Sequence, residues 1–281
     1  MSSPFQSPLE LFAWSKHHFD ILSANVTFWA ERTPKVRITD FNPDTGETIY
    51  KFRFGGPLPW QIGAMAFDIA HTQRATLDHL MYASAIAING SEPKKTKFPF
   101  GDETLESAID NIRGVNGSRR RKRRTPRTQP KPHPNHRMII AAALRFKPYK
   151  TGERDLWALN QIRNMKHHRL LTPTAVMSQH ILIQNGIFVG GGIGLSPEWD
   201  RSSNELTYLR TTATFSHHDS EITPAVAFDE STIVGGRLVT EFFSRTGVLV
   251  QNIFKTIERK THEIRRARGL SELSMLSQNL P

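Results

Sequence analysis

The chain has 281 residues, 38% of them hydrophobic, and no cysteine, which allows a sizeable core and excludes disulfides, thiolate metal sites and a cysteine nucleophile. No window reaches the roughly 18 consecutive apolar residues of a membrane-spanning helix, and residues 1–12 lack the order of a secretory signal, so the expected location is the cytoplasm, with no membrane partner. The formal net charge is +11, yet ten Lys and Arg residues lie between Arg113 and Arg137 with no Asp or Glu among them, so any attraction to polyanions belongs to that stretch and the remainder is close to neutral.

Residues 9–31 read as a first helix, with Pro4 and Pro8 before it and Thr33-Pro34 after it. Leu11, Trp14, Leu22, Val26 and Trp29 supply its apolar side, and His17 and His18 a solvated one. Residues 35–41 and 47–54 alternate polar and apolar side chains around the turn cluster Asn42-Pro43-Asp44-Thr45-Gly46, the pattern of a β-hairpin. The segment Gly55-Gly56-Pro57-Leu58-Pro59 then breaks the chain. From 59 to 88 the residues Ile62, Met65, Ala66, Ile69, Leu77, Leu80, Met81 and Ile88 recur at helical spacing.

That long helix carries the most informative polar group. At roughly 100° per residue, His71, Arg74 and Asp78 share one stripe, and His79 lies roughly 140° around from Arg74. Burying Arg or Asp alone is costly, so these groups must pair among themselves, meet a second helix or open to a cleft.

Beyond Asn89-Gly90 come Phe98-Pro99-Phe100 and a short helix over 103–112. Residues 113–137 form a basic, Pro-rich insertion whose few apolar side chains cannot offset the entropy of ordering it; it is expected to be disordered. A short helix over 138–146 ends at Lys147-Pro148. A second important helix spans 152–171, with Leu156, Leu159, Ile162 and Leu170 apolar and Asn160, Asn164, His167 and His168 polar; Asn164 and His168 are one turn apart.

From residue 180 the period changes to that of strands, at 180–189, 206–215 and 222–228, read together as an antiparallel sheet. Leu238, Phe242, Leu249, Ile253 and Ile257 mark a closing helix over 237–266. The expectation is one α+β domain over 1–281. A helical core (about 59–171) carries an N-terminal β-hairpin, and residues 178–266 add a C-terminal antiparallel sheet and a closing helix.

Arg74-Ala-Thr-Leu-Asp-His79 fits the spacing Arg-x4-His and resembles the motif of the HEPN superfamily, helical domains of prokaryotic toxins, defence systems and related RNases. The resemblance implies metal-independent RNA cleavage with two copies of the motif joined across a homodimer, Arg74 as the phosphate clamp and His79 as the proton-transfer group. Imidazole suits acid/base work near neutral pH, and a guanidinium stabilises charge developing on phosphorus. Ala75 stands where that motif usually has a polar residue.

A broader pattern is similar to a family of uncharacterised bacterial proteins. It comprises Arg74 to Leu80, then Phe98-Pro-Phe100, Lys147-Pro-Tyr149 and the helix with Asn164 and His168-Arg169-Leu170-Leu171. That family shows Arg-Ser-x-Leu-Asp-His-Leu and Asn-x-Asp-Lys-His-Arg helices. Here Ala75 replaces Ser, and Lys166 and His167 replace Asp and Lys. The resemblance implies an architecture and a residue set, with no reaction attached.

Together the two helices offer Arg74, Asp78 and His79 on one and Asn164, His168 and Arg169 on the other. If they pack side by side, these could converge on an acid/base and phosphate-stabilising crevice. The alternative is a buried polar network that holds the helices in register in a non-catalytic binding or scaffold protein. A metal reading of His71, Asp78, His79 and His168 lacks a recognised ligand spacing, so neither metal nor cofactor is expected. Arg119, Arg120, Arg121, Lys122, Arg123 and Arg124, together with Arg169, are candidate RNA contacts acting through phosphate, with no interleaved aromatic side chain for base stacking. Gly190-Gly191-Gly192 follows a strand but precedes no helix, and reads as a turn.

Overall fold

A computed structural model describes residues 3–90, 96–113, 134–164, 174–184, 188–189, 193–194, 198–212, 214–215, 219–229 and 232–280. Its elements are mixed α+β, with the expected N-terminal hairpin, C-terminal strands and closing helix. In chain order they are α1 (Gln6–Arg32), β1 (Lys35–Asn42), β2 (Glu47–Phe54), α2 (Trp60–Asn89), α3 (Leu105–Arg113), α4 (Pro134–Leu144) and α5 (Arg154–Asn164). Then follow β3 (Thr174–Gln184), β4 (Phe188–Val189), β5 (Ile193–Gly194), β6 (Glu198–Asp200), β7 (Glu205–Thr211), β8 (Thr214–Phe215), β9 (Asp219–Phe228) and α6 (Val239–Ala267).

The contacts divide the chain into two compact units. The first comprises Met1–Phe19, Phe67–Arg169 and Phe242–Pro281, the second Asp20–Ala66 and Leu170–Glu241. The unit boundaries fall inside α1, α2 and near the start of α6.

The first unit is helical. Phe5, Phe12, Ile69, Leu77, Leu80, Met81, Leu156, Leu159, Phe254 and Ile257 are buried in it, and the rings of Phe5 and Phe254 lie 6.2 Å apart. Trp14, expected on the apolar side of α1, is 54% exposed and packs on the rings of His17 and His18, while Phe12 turns inward in its place. The early turns of that helix bury Phe12 and Ser15, with Phe5 buried just before it, a different stripe from the one Leu11 and Trp14 suggested. Helix α4 begins at Pro134, within the expected insertion. Proline lacks only an N–H that a first helical turn leaves unbonded anyway, so it opens this helix without cost.

The second unit is built on a sheet whose order is β1-β2-β7-β5, with β6 also paired to β7. The N-terminal hairpin thus joins the C-terminal strands in one antiparallel sheet. Strand β7 is buried at Glu205, Leu206, Thr207, Tyr208, Leu209 and Thr211, as befits a central strand covered on both faces. Tyr208 packs between Phe52 and Tyr50, at ring distances of 4.9 and 6.4 Å. Strand β1 is an exposed edge, and Lys35 and Arg37 along it disfavour pairing with a foreign strand. The single C-terminal sheet expected from sequence is divided, because β3 pairs with β9 while β7 pairs with β2.

Candidate functional site

Of the polar group on α2, Arg74 faces the interior of the first unit. Arg74 is only 6% exposed. Its Nε–H donates to Oδ1 of Asn160 on α5 at 3.0 Å, its Nη1 pairs with Oδ2 of Asp78 one turn on, and its guanidinium lies 4.5 Å from the centre of the Phe100 ring. A planar cation over an aromatic face, with one edge donor met by an amide and a carboxylate paired beside it, is an arginine turned into the fold and not toward solvent. Burial pulls its pKa below the ordinary arginine value, and the Asp78 carboxylate opposes that shift.

Asp78 has a second task. Its Oδ1 accepts the backbone N–H of Phe98 at 2.8 Å, so one carboxylate joins the helix to the Phe98-Pro99-Phe100 segment. That segment is clasped in turn by the turn containing Lys147, Pro148 and Tyr149. Gly101 N donates to the Pro148 carbonyl at 3.0 Å, and Thr151 donates to the Glu103 carbonyl through its N at 3.1 Å and its Oγ1 at 2.7 Å. Lys147 adopts the left-handed φ of 48°, and its carbonyl accepts from both Tyr149 N and Glu153 N at 2.7 Å. The motifs read separately along the chain are therefore hydrogen-bonded neighbours. Asp155, buried in the first turn of α5, pairs with Arg245 Nε of α6 at 3.1 Å.

Two expectations need correction. Asn164 does not meet Arg74: it is exposed at the end of α5, and its Oδ1 accepts from Arg163. The partner is Asn160, a full turn earlier, because the i, i+3, i+4 row of Leu156 and Leu159 places Asn160 on the buried face. His79 does not share the environment of Arg74 either. It is exposed, and its Nδ1 shares a hydrogen bond of 2.9 Å with Ser7 Oγ at the start of α1. His71 is also exposed and stacks on Phe67. His168, Arg169 and the run Arg119, Arg120, Arg121, Lys122, Arg123 and Arg124 lie outside the described residues.

His79 and Asp78 border a groove of about 510 Å³ whose other walls include Ser7, Tyr82, Ile86, Thr96 and Lys97. Arg74 does not reach it. The groove thus offers an imidazole, a hydroxyl, a phenol and the exposed ammonium of Lys97 along apolar walls, while the guanidinium of Arg74 lies inside. Ser7, Tyr82 and Lys97 carry no sequence signal for this role, since their meeting with His79 depends on tertiary packing. Asn160 did carry one, in its place on the leucine row.

Among the described residues no group of three or more His, Asp or Glu side chains is arranged to hold a metal ion. No helix among them is long and apolar enough to cross a membrane. No family model matches the chain, and no curated protein or solved structure does either.

Proposed function

We propose that this chain is a binding or scaffold protein in which the polar groups shared by α2 and α5 are structural. The observation that carries this reading is the state of Arg74, which is 6% exposed, with its Nε–H directed to Asn160, its Nη1 paired with Asp78 and its face on Phe100. A phosphate clamp must present its guanidinium donors to the ligand. Rearranging this one to do so would leave Asn160 without its partner in the interior and Asp78 without its countercharge, which is costly.

A second reading is favoured by the exposure of His79. On it the chain is a HEPN-like, RNA-directed protein of the cytoplasm, a metal-independent endoribonuclease of a defence or toxin system that works as a homodimer. His79 would move the proton between the attacking 2′-hydroxyl and the departing 5′-oxygen. Lys97, bordering the same groove, would offset the charge on phosphorus, and Arg74 would hold α2 in place behind them.

One set of variants separates the two. The purified chain is incubated with single-stranded RNA in EDTA as wild type, His79→Ala, Lys97→Ala and Arg74→Lys. Cleavage by wild type that disappears in His79→Ala, with the melting temperature unchanged, would establish the nuclease and sink the scaffold reading. No cleavage by any of the four, together with a lowered melting temperature for Arg74→Lys alone, is the outcome the structural reading expects. Removing residues 118–132 tests the basic run. If RNA affinity and its dependence on salt stay the same, that run has no part in binding.

A further inference from the structure

The groove of the first unit holds a nucleophile beside a base. Ser7 Oγ lies 2.9 Å from Nδ1 of His79, 72 residues away in sequence, and both residues line the groove and are exposed. With the imidazole proton on Nε2, Nδ1 accepts from the hydroxyl, the contact through which a base draws the proton from a serine as it attacks. Asp78, in the same wall, is already engaged: its Oδ1 accepts from Phe98 N and its Oδ2 pairs with Arg74. The charge along the groove is therefore set by Lys97, whose side chain is exposed there.

Ser7 stands in the first turn of α1, where backbone N–H groups have no carbonyl one turn back. Gln6 N donates to the Ser3 carbonyl and Leu9 N to that of Phe5, Pro8 has no N–H, and no acceptor among the described residues takes the N–H of Ser7. A serine's own N–H is one of the donors that hold the oxyanion when its Oγ attacks a carbonyl carbon. The other walls, among them Pro4, Pro8, Tyr82 and Ile86, are largely apolar, and about 510 Å³ admits a small organic molecule.

We propose that Ser7 is an acyl-accepting nucleophile and that the chain hydrolyses small carboxylic esters with an apolar acyl group in this groove. Ser7 Oγ bonds to the carbonyl carbon while its proton passes to His79 Nδ1, and the Ser7 N–H and the Lys97 ammonium offset the charge on the carbonyl oxygen. The C–O bond to the alcohol then breaks, and the alcohol leaves with the proton from His79. Water attacks the acylated serine, gives one proton to His79, and the carboxylic acid departs as that proton restores the Ser7 hydroxyl. The activity needs neither RNA nor Arg74 as a ligand-binding group, so it goes beyond the structural role of the contacts between α2 and α5. Unlike the ribonuclease reading, it depends on Ser7.

The test uses the full chain, an alkyl fluorophosphonate, which traps activated serines, and p-nitrophenyl butyrate. An adduct placed on Ser7 by peptide mass spectrometry is expected with wild type and none with His79→Ala. Ester turnover should fall by about a hundredfold in Ser7→Ala and in His79→Ala, the scale of losing the nucleophile or its base. Both residues are exposed, so the melting temperature should stay where it is. The chain has no cysteine, so Ser7→Cys introduces a single thiol. Iodoacetamide should alkylate it at neutral pH about tenfold faster than in the double variant Ser7→Cys, His79→Ala, because the imidazole favours the thiolate. The proposal fails if Ser7 takes no adduct, if the adduct persists in His79→Ala, or if the two thiols react equally fast. RNA cleavage that needs His79 but survives Ser7→Ala, without a Ser7 adduct, would leave the ribonuclease reading standing and overturn this one.

Discussion

Asn160 Oδ1 accepts the Nε–H of Arg74 at 3.0 Å, and through that bond α5 is held against α2. Removing the acceptor leaves a guanidinium donor facing a gap that water cannot readily fill, since Arg74 is 6% and Asn160 8% exposed. Asn160→Ala should therefore cost about 1–3 kcal/mol. Asn164→Ala, at an exposed position one turn on, should stay within about 0.5 kcal/mol. Urea unfolding of the two variants checks this. Equal losses would mean that the bond to Arg74 contributes nothing particular to the packing of the helices.

The contrast between these two asparagines shows what was legible in the sequence. Helices and the hairpin follow from local periodicity and turn chemistry, so α2 and β1-β2 stand where the spacing of apolar residues put them. The polar stripe of α2 was also legible, and Arg74 and Asp78 do pair at i,i+4. What local reading could not supply was partnership over distance. Nothing around Thr48 to Arg53 specifies that β2 pairs with β7 across more than 150 intervening residues, and nothing in Ser7 or Lys97 points to His79. Those neighbours are selected by burial of the whole chain. The division of the C-terminal strands between sheets has the same origin, because β7 is buried along nearly its whole length and shows no alternation to read.

Glu205 gives the sheet a dependence on pH. The hydrogen bonds from Arg53, at 2.6 and 2.9 Å, hold its carboxyl below the ordinary glutamate value, and Lys51 at 3.3 Å adds to the effect. Because the pKa is depressed in the folded chain, this contribution to stability is complete above the ordinary value of 4.5 and is lost as the pH falls through the lower folded value. Arg53 is 58% exposed, so solvent screening keeps the gain to about 1 kcal/mol or less. The melting temperature of wild type should exceed that of Glu205→Gln at neutral pH, and the gap should close on acidification below 4.5. A gap independent of pH would show that packing, and not the ion pair, accounts for the loss.

Gly152 has no room for a side chain. A Cβ there would run into the Lys147 carbonyl and lie 2.6 Å from the Lys147 Cβ and 2.8 Å from the Tyr149 ring. The Lys147 carbonyl already accepts two N–H groups and cannot withdraw without releasing them. Gly152→Ala should destabilise the chain by about 1–3 kcal/mol, as overpacking does. Gly56→Ala, with nothing within 4 Å of the new atom, should be close to neutral. Denaturation midpoints compared at unchanged slope decide the matter.

The C-terminal segment is fastened by a carboxylate. Glu258 of α6 is wholly buried, and its two oxygens accept the backbone N–H groups of Leu276 at 2.7 Å and Ser277 at 2.9 Å, where a 3₁₀ turn (Ser277–Asn279) begins. Arg265, one helical row further, donates to the Ser271 carbonyl through Nε at 3.2 Å and Nη2 at 2.6 Å, so the returning strand of chain is held twice. A buried carboxylate with no countercharge in contact among the described residues depends on such N–H donors for its solvation, and the donors depend equally on it. Glu258→Gln keeps one acceptor oxygen and should lose about 1.5–3 kcal/mol, the scale of one hydrogen bond to a charged group. Glu258→Ala strands both N–H groups and should lose more. Hydrogen exchange distinguishes a fastening from simple packing: the amides of Leu276 and Ser277 should lose protection in both variants while those of the α2 interior keep theirs, because the segment can detach without unfolding the helices. If protection falls uniformly across the chain, Glu258 belongs to the global core and the tail has no separate opening.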